Sequence, residues 1–331
     1  MNLKEIWLFL KKLTYIKVCN FICRKFASLK SHIIGKLYIY GKPWSISIEP
    51  CNICNLNCKE CFSGLNLATR SKGFMSLDNF EIIINQIYET TLNLFLYFQG
   101  EPYMNKHFTE MIKYANSKNI YTVTSTNGHF IDYETAKKTV NAGLDKIIIS
   151  MDGYDQNSYS KYRKNGNFEK VLKSIENLSK AKKDLKKINP IIEIQVLANK
   201  YTENHFHEIN KLSKKYGGEV FKIKTMQIEN ENDYEEFLPN KEKLSRYKKD
   251  KKGNYLLKNK INFCNRIYNS IIITYDLNVL GCCYDKNANF VLGNLKNENL
   301  KEVINNQKTK DFFAMIMNKN KRPKMCNNCG G

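Results

Sequence analysis

The chain has 331 residues, 42% of them hydrophobic, which is room for one large domain and a small one. A formal net charge of +21 invites a nucleic-acid reading. Of the 53 basic residues, however, 47 are lysine and six arginine, scattered without a nucleic-acid-binding motif, so no nucleic-acid partner is expected. The longest apolar runs, such as "IWLFL" and "IIIT", are too short to span a bilayer, and no apolar stretch precedes a small-residue cleavage site. Eleven cysteines without an export signal point to a reducing, cytoplasmic setting, where clustered thiols are more often metal ligands than disulfides.

Residues 1–44 read as a basic helical arm. The first 50 residues hold nine Lys/Arg against two acidic groups, and Leu3, Ile6, Trp7, Leu10 and Leu13 recur at helical spacing. Such an arm either docks on an anionic membrane surface or packs on the domain that follows. From residue 45, short β-rich runs (45–50, 92–98, 120–126, 145–150, 191–197 and 220–226) alternate with amphipathic helical stretches, with Ser76 and Asp132 at N-cap positions. Six strand–helix units in succession imply an α/β domain over 45–228, its parallel sheet curled into an open or closed barrel. A charged, irregular linker (229–262) follows. Residues 263–331 then switch to hairpin-like strands and two short helices with five more cysteines, a second domain.

Three strands alternate polar and apolar residues: Glu193 and Gln195, Lys222 and Lys224, and Thr122, Thr124 and Thr126 each share a face. A sheet wrapped by helices has no solvated outer face, so these sets are expected to point into a lumen.

The stretch "IEPCNICNLNCKECFSG" leaves the first strand and carries Cys54, Cys58 and Cys61 as C-x3-C-x2-C. Three thiolates hold three irons of a cubane and leave the fourth iron open, as a substrate-binding metal site requires. A loop at a strand's C-terminal end is also where a barrel builds its active site. Cys51 is out of register and reads as a bystander; Cys19 and Cys23 read as small hydrophobes or spare thiols.

With these motifs in order, the sequence resembles the radical S-adenosylmethionine (SAM) superfamily over nearly its whole length. "GEP" (Gly100–Pro102) is similar to that family's "GGE" motif, with Gln99 in place of the first glycine; "STNG" (125–128) and "SMDG" (150–153) close the third and fourth strands. The resemblance implies a partial (β/α)6 TIM-like barrel with a small C-terminal α+β auxiliary-cluster domain. It also implies a [4Fe-4S] cluster on Cys54, Cys58 and Cys61 whose free iron chelates SAM. Gly100 and Glu101 would then orient the amino group and Ser150 and Asp152 the ribose, with Asn127 and Arg163 around the methionyl and ribose portions. The residue before the last cysteine, usually aromatic or aliphatic in the family, is Glu60, and no adenine contact is assigned.

A second set, Cys264, Cys282, Cys283, Cys326 and Cys329, offers a distant pair and a C-x2-C, suited to a closed zinc or cubane site. The segment resembles short SPASM or twitch domains, whose pattern selects Cys264, Cys282, Cys326 and Cys329 over Cys283 and favours a second [4Fe-4S] cluster.

The resemblance implies an oxidoreductase-type enzyme. A low-potential donor, flavodoxin or ferredoxin, supplies the electron that splits SAM into methionine and a 5′-deoxyadenosyl radical, which abstracts hydrogen from a substrate; the auxiliary cluster takes any second electron. Glu193, Lys222 and Lys224, projecting inward, are the candidate proton acceptors. The substrate is expected to be small and polar, sugar-like; the alternatives are a ribosomally made peptide, for which residues 1–44 are too few to form a leader-recognition domain, and a non-catalytic iron–sulfur or zinc protein. In a chain so poor in arginine, Arg70, Arg163, Arg246 and Arg266 are candidates to grip an anionic substrate group.

Overall fold

Two helices, α1 (Leu3–Leu10) and α2 (Tyr15–Ile34), precede the first strand in the computed structural model, which describes residues 2–330. Then β1 (Ser45–Ile48), α3 (Leu77–Ile87), β2 (Asn93–Phe95), α4 (Phe108–Ser117), β3 (Tyr121–Thr126) and α5 (Tyr133–Ala142) alternate. They are followed by β4 (Lys146–Ser150), α6 (Gln156–Tyr162), α7 (Phe168–Asp184), β5 (Ile191–Ala198), α8 (Phe206–Tyr216) and β6 (Val220–Thr225). All six expected strands form. Each pairs in parallel with the next, and β6 lies at one edge of the sheet, so among the described residues the barrel is open. Ser76 and Asp132 cap α3 and α5 as expected, accepting from the backbone N–H of Asn79 and Thr135.

A short helix α9 (Tyr234–Phe237) and the hairpin β7 (Tyr247–Lys249) and β8 (Tyr255–Leu257) come next. The remainder is α10 (Arg266–Asn269), β9 (Ser270–Ile273), β10 (Asn278–Leu280), β11 (Val291–Asn294), α11 (Leu300–Asn305) and α12 (Gln307–Met317). β9 pairs in parallel with β1, so β9 to β11 extend the barrel sheet on the side away from β6. Leu300, Val303 and Phe312 of the last helices join the core that Ile46, Leu94, Ile147 and Ile194 build beneath α3 to α8.

The ladder registers sort each strand into two faces. Ile147, Ile149, Ile192, Ile194 and Val196 face the helices; Tyr121, Val123, Ile148 and Ile191 line the lumen floor against Leu8 and Phe9 of α1. Glu193, Gln195, Lys222 and Lys224 share the lumen face as expected. The β3 threonines do not. Val123 is on the lumen side, so Thr122, Thr124 and Thr126 face the helix layer, each held by a hydrogen bond: Thr122 to Asp145 (3.2 Å), Thr124 to the Leu96 carbonyl (3.0 Å) and Thr126 to Glu101 (2.7 Å). A hydroxyl that finds a partner can sit in a dry layer as easily as in a lumen.

The arm packs on the barrel, but not by the apolar stripe. Glu5 and Leu8 turn inward, whereas Leu3, Ile6, Trp7 and Leu10 stay exposed.

Candidate active site

The cysteine loop starts where β1 ends. Glu49, fully buried, is clamped by both arms of Arg70 (2.7 and 2.8 Å), which also donates to the Lys286 carbonyl (3.0 Å). Arg70 is thus a brace between β1 and the C-terminal segment, and its fork is committed to the protein rather than to a substrate. Beyond it, the loop is pinned to the turn after β2. The Glu101 N–H donates to the Ile53 carbonyl (2.8 Å), the Gly100 N–H to the Ser63 hydroxyl (3.3 Å), and that hydroxyl to the Gln99 side chain (3.0 Å). Gly100 has φ +74°, and a Cβ there would lie 2.7 Å from the backbone N and O of Ile53. Only glycine allows this approach.

Cys54, Cys58 and Cys61 lie together in this loop, Cys58 almost fully buried. Burial pushes the Cys54 thiol up to about 12 and raises Cys58 also, while Arg163 pulls Cys58 back. Thiols in such surroundings ionise when a metal replaces the proton, which suits ligands rather than free nucleophiles. Cys51, fully buried, spends its S–H on the Glu101 carbonyl (3.0 Å), in keeping with a bystander.

Around the thiols sit the other residues singled out above. Glu101 is buried; its carboxylate accepts from the Thr126 hydroxyl (2.7 Å) and the N–H groups of Asn127 (2.8 Å) and Tyr103 (3.2 Å). Desolvation pushes it up to about 7 against those hydrogen bonds. That carboxylate ties the ends of β2 and β3 together. Asn127 donates to Asn55 Oδ1 (2.8 Å), beside Cys54. Asp152 accepts from the Leu197 N–H (2.6 Å) and pairs with Arg163 (2.6 Å), whose other nitrogen reaches the Cys58 sulfur (3.6 Å). Ser150, opposite Gln195 in the ladder, is on the lumen face.

Two features had no clear signal in the sequence. The segment expected to be an irregular linker folds over the thiols: Phe237, Leu238, Tyr247 and Leu257 form one buried cluster with Leu56, Cys58 and Tyr162, with Cys54 and Cys61 packed against it. Its apolar residues are too widely spaced for either period to register. Glu60, which replaces the usual apolar neighbour of the last cysteine, has φ +60° and points at this same segment, accepting from the backbone N–H groups of Glu229 and Asn230.

On the lumen floor, Glu193 is paired with Lys146 (2.6 Å) and Lys222 (2.8 Å), and Lys146 also with Glu5 of α1 (2.9 Å). Although burial opposes it, these two ammonium groups hold the Glu193 carboxyl below its usual range. Lys224 is one layer nearer the strand ends and exposed.

In the C-terminal segment, Cys264, Cys282, Cys326 and Cys329 line one cavity of about 320 Å3 with Ile267, Ile316 and Met325. Among the described residues no three His, Cys, Asp or Glu side chains converge on a single ion. Four thiols around one cavity are the donor set of a closed cubane or zinc site. Cys283 instead receives Arg266 Nη1 (3.1 Å), and its thiol is lowered to about 6 by Cys282 and this guanidinium. Arg246 makes two long contacts, to Gln227 (3.4 Å) and Tyr284 (3.5 Å).

Comparison with known proteins matches residues 48–212 to the Radical SAM superfamily and residues 264–330 to SPASM, an iron–sulfur cluster-binding domain. The chain is 30% identical over 124 residues to Fe-coproporphyrin III synthase of Methanosarcina barkeri, covering 38% of this chain and 31% of that protein. It is 28% identical over 139 residues to the mycofactocin maturase of Mycolicibacterium smegmatis, covering 42% and 35%. These matches span less than half of either relative. Among solved structures, BtrN in complex with AdoMet and 2-DOIA superposes with a TM-score of 0.53 at 15% identity, over 89% of this chain and 95% of that one. SuiB of Streptococcus suis bound to S-adenosylmethionine gives 0.63 at 14%, over 93% and 76%.

Proposed function

The chain belongs to the radical SAM superfamily and is an enzyme with a SPASM iron–sulfur domain; from that premise we propose that it takes a hydrogen atom from a small, polar, sugar-like substrate held in the lumen. The observation that carries this reading is the lumen itself: its floor is closed by Leu8 and the Glu5–Lys146–Glu193–Lys222 ion pairs, and Gln195, Ser150 and Lys224 line the layer above. Charged and polar side chains on the lumen face suit a hydroxyl-rich molecule better than a bulky apolar one.

In this reading Cys54, Cys58 and Cys61 would hold a [4Fe-4S] cluster that binds SAM, and Cys264, Cys282, Cys326 and Cys329 a second cluster. When bound, the first would supply the one-electron reduction that cleaves SAM, and the second would serve as a sink for an electron from substrate. The chain's own groups orient and exclude. Gly100 brings the β2 turn onto the cysteine loop; Asn127, Ser150 and Asp152 with Arg163 surround the cofactor; Glu101 positions that turn; and Phe237, Tyr247 and Leu257 keep water from the thiols. Glu193, held ionised by Lys146 and Lys222, accepts the substrate proton, with Lys222 and Lys224 on the same face as the other candidate acceptors. The organisation that supports these roles is arm 1–44, barrel 45–228, lid-like linker 229–262 and cluster domain 263–331. A flavodoxin or ferredoxin is the electron donor.

A second reading, a maturase acting on a ribosomally made peptide, draws on the exposed free edge of β6, which offers unpaired backbone to an extended chain. A non-catalytic protein is set aside by the family. The test is to supply reduced, reconstituted enzyme with SAM and deuterated sugars, amino sugars or candidate peptides. Deuterium appearing in 5′-deoxyadenosine from a sugar supports the first reading; label transfer from peptides alone rejects it.

A further inference from the structure

Helix α2 is amphipathic the wrong way round. Lys17, Asn20, Arg24, Ser28 and Ser31 form its buried stripe, with Lys17 and Arg24 at 2% and 1% exposure. Tyr15, Val18, Ile22, Phe26, Leu29 and Ile33, spaced by three or four residues, form the opposite stripe, and the last four are 58%, 56%, 58% and 73% exposed. A helix on a water-facing surface normally shows the reverse.

The buried polar groups explain how the helix is fixed. Lys17 donates to the carbonyls of Lys12 (3.0 Å) and Asn119 (2.5 Å), Asn20 to that of Lys42 (2.9 Å), and Arg24 Nε to that of Tyr268 (2.6 Å). Asn119, Lys42 and Tyr268 stand just before β3, β1 and β9, so α2 crosses the N-terminal ends of these strands. α1 does the same beneath β4 through Glu5 and Lys146, with Leu8 in the floor. Together they cover the barrel end opposite the cysteine loop. Both turn apolar side chains away from the protein, with Leu3, Trp7 and Leu10 of α1 adding to the stripe of α2.

We propose that α1 and α2 are an interfacial anchor that lays this end of the barrel flat on an anionic membrane surface. Charge selects that occupant. Glu5 is the sole acidic residue in the first 44, and it is buried and paired, whereas Lys4, Lys11, Lys25 and Lys36 are exposed around the apolar face. An apolar face rimmed by lysine, with Trp7 under Lys11 Nζ (3.4 Å from the ring centroid), matches anionic headgroups over acyl chains. A second copy is the poorer occupant, because two lysine-rimmed faces on chains of charge +21 repel. Among the described residues no helix is long and apolar enough to cross a membrane, so the contact is in plane, with α2 about 30 Å long. The cysteine loop then opens on the side away from the bilayer.

The full chain, reconstituted with iron and sulfide, is sedimented with phosphatidylcholine vesicles lacking or containing phosphatidylglycerol. The anchor predicts at least about tenfold stronger binding to the anionic vesicles, weakened by salt. With Trp44→Phe leaving Trp7 as sole reporter, brominated lipid should quench its fluorescence. The triple variant Ile22→Ser, Phe26→Ser, Leu29→Ser should lose vesicle binding with its melting temperature and 5′-deoxyadenosine formation unchanged. Vesicle binding that ignores headgroup charge, or survives the triple variant, overturns the proposal. So does no binding at all, whether the chain is a monomer or a dimer that the serine variant dissociates; the latter would make the face a protein interface.

Discussion

Arg163 Nη1 lies 3.6 Å from the Cys58 sulfur while the same guanidinium is held at 2.6 Å by Asp152. One buried cation therefore serves both the cysteine loop and the end of β4. Arg163→Met removes the charge beside the thiol and strands Asp152 unpaired, a loss of about 3–5 kcal/mol for a buried pair. We expect reduced iron retention in the N-terminal site and at least about a tenfold drop in 5′-deoxyadenosine formation. Arg163→Lys should recover stability in part but not the double contact, because an ammonium lacks the fork. Unchanged iron content and turnover in Arg163→Met would remove this residue from the site.

Gly100→Ala tests the contact between the β2 turn and the cysteine loop. A Cβ at 2.7 Å from the Ile53 backbone, on a residue with φ +74°, forces one of the two to move. The expected cost is more than about 1 kcal/mol, with SAM cleavage falling further than stability alone explains. Melting temperature and iron count measured side by side separate the two effects.

Cys282 and Cys283 are adjacent in sequence and their thiols touch, yet only one of them lines the cavity. Cys282 faces the cavity with Cys264, Cys326 and Cys329; Cys283 faces Arg266. Cys282→Ala should lose about four irons per chain, whereas Cys283→Ala should keep them. The reverse pattern would exchange the ligand assignment.

The arm–barrel junction carries two shifted groups of opposite effect. Burial pushes Asp145, under Thr122, up to about 6 from an ordinary 3.8, so the folded state binds the extra proton and stability falls as pH rises between these values. Burial lowers Lys17 to about 8 from 10.5, so the unfolded state binds the extra proton and stability rises as pH climbs between these values. Relative to the wild type, Asp145→Asn should flatten the acid limb of melting temperature against pH and Lys17→Met the alkaline limb. Difference curves that stay level across both windows would contradict this.

The strands were legible because a parallel sheet buried on both faces demands apolar runs, and its crossover helices demand caps such as Ser76 and Asp132. The faces of β3 were not. Alternation marks two faces but not which is the lumen, and Thr122, Thr124 and Thr126 satisfied themselves among Asp145, Leu96 and Glu101. The arm misled for a related reason: Leu3, Ile6, Trp7 and Leu10 have the spacing of a packing face, but Glu5 and Leu8 do the packing. At the site, thiols betrayed themselves by spacing, whereas Phe237, Tyr247 and Leu257 close over them from a segment with no period. Of the four arginines offered as substrate clamps, Arg70, Arg163 and Arg266 pair instead with Glu49, Asp152 and Cys283, partners that only three-dimensional neighbourhood reveals.

The central claim is that the N-terminal loop leaves one iron of a cubane for SAM. The direct measurement is electron paramagnetic resonance of the anaerobically reduced Cys264→Ala, Cys282→Ala, Cys326→Ala, Cys329→Ala variant, with and without SAM. The account predicts a reduced [4Fe-4S] signal that changes on adding SAM; a spectrum indifferent to it, or no cluster signal at all, would contradict it.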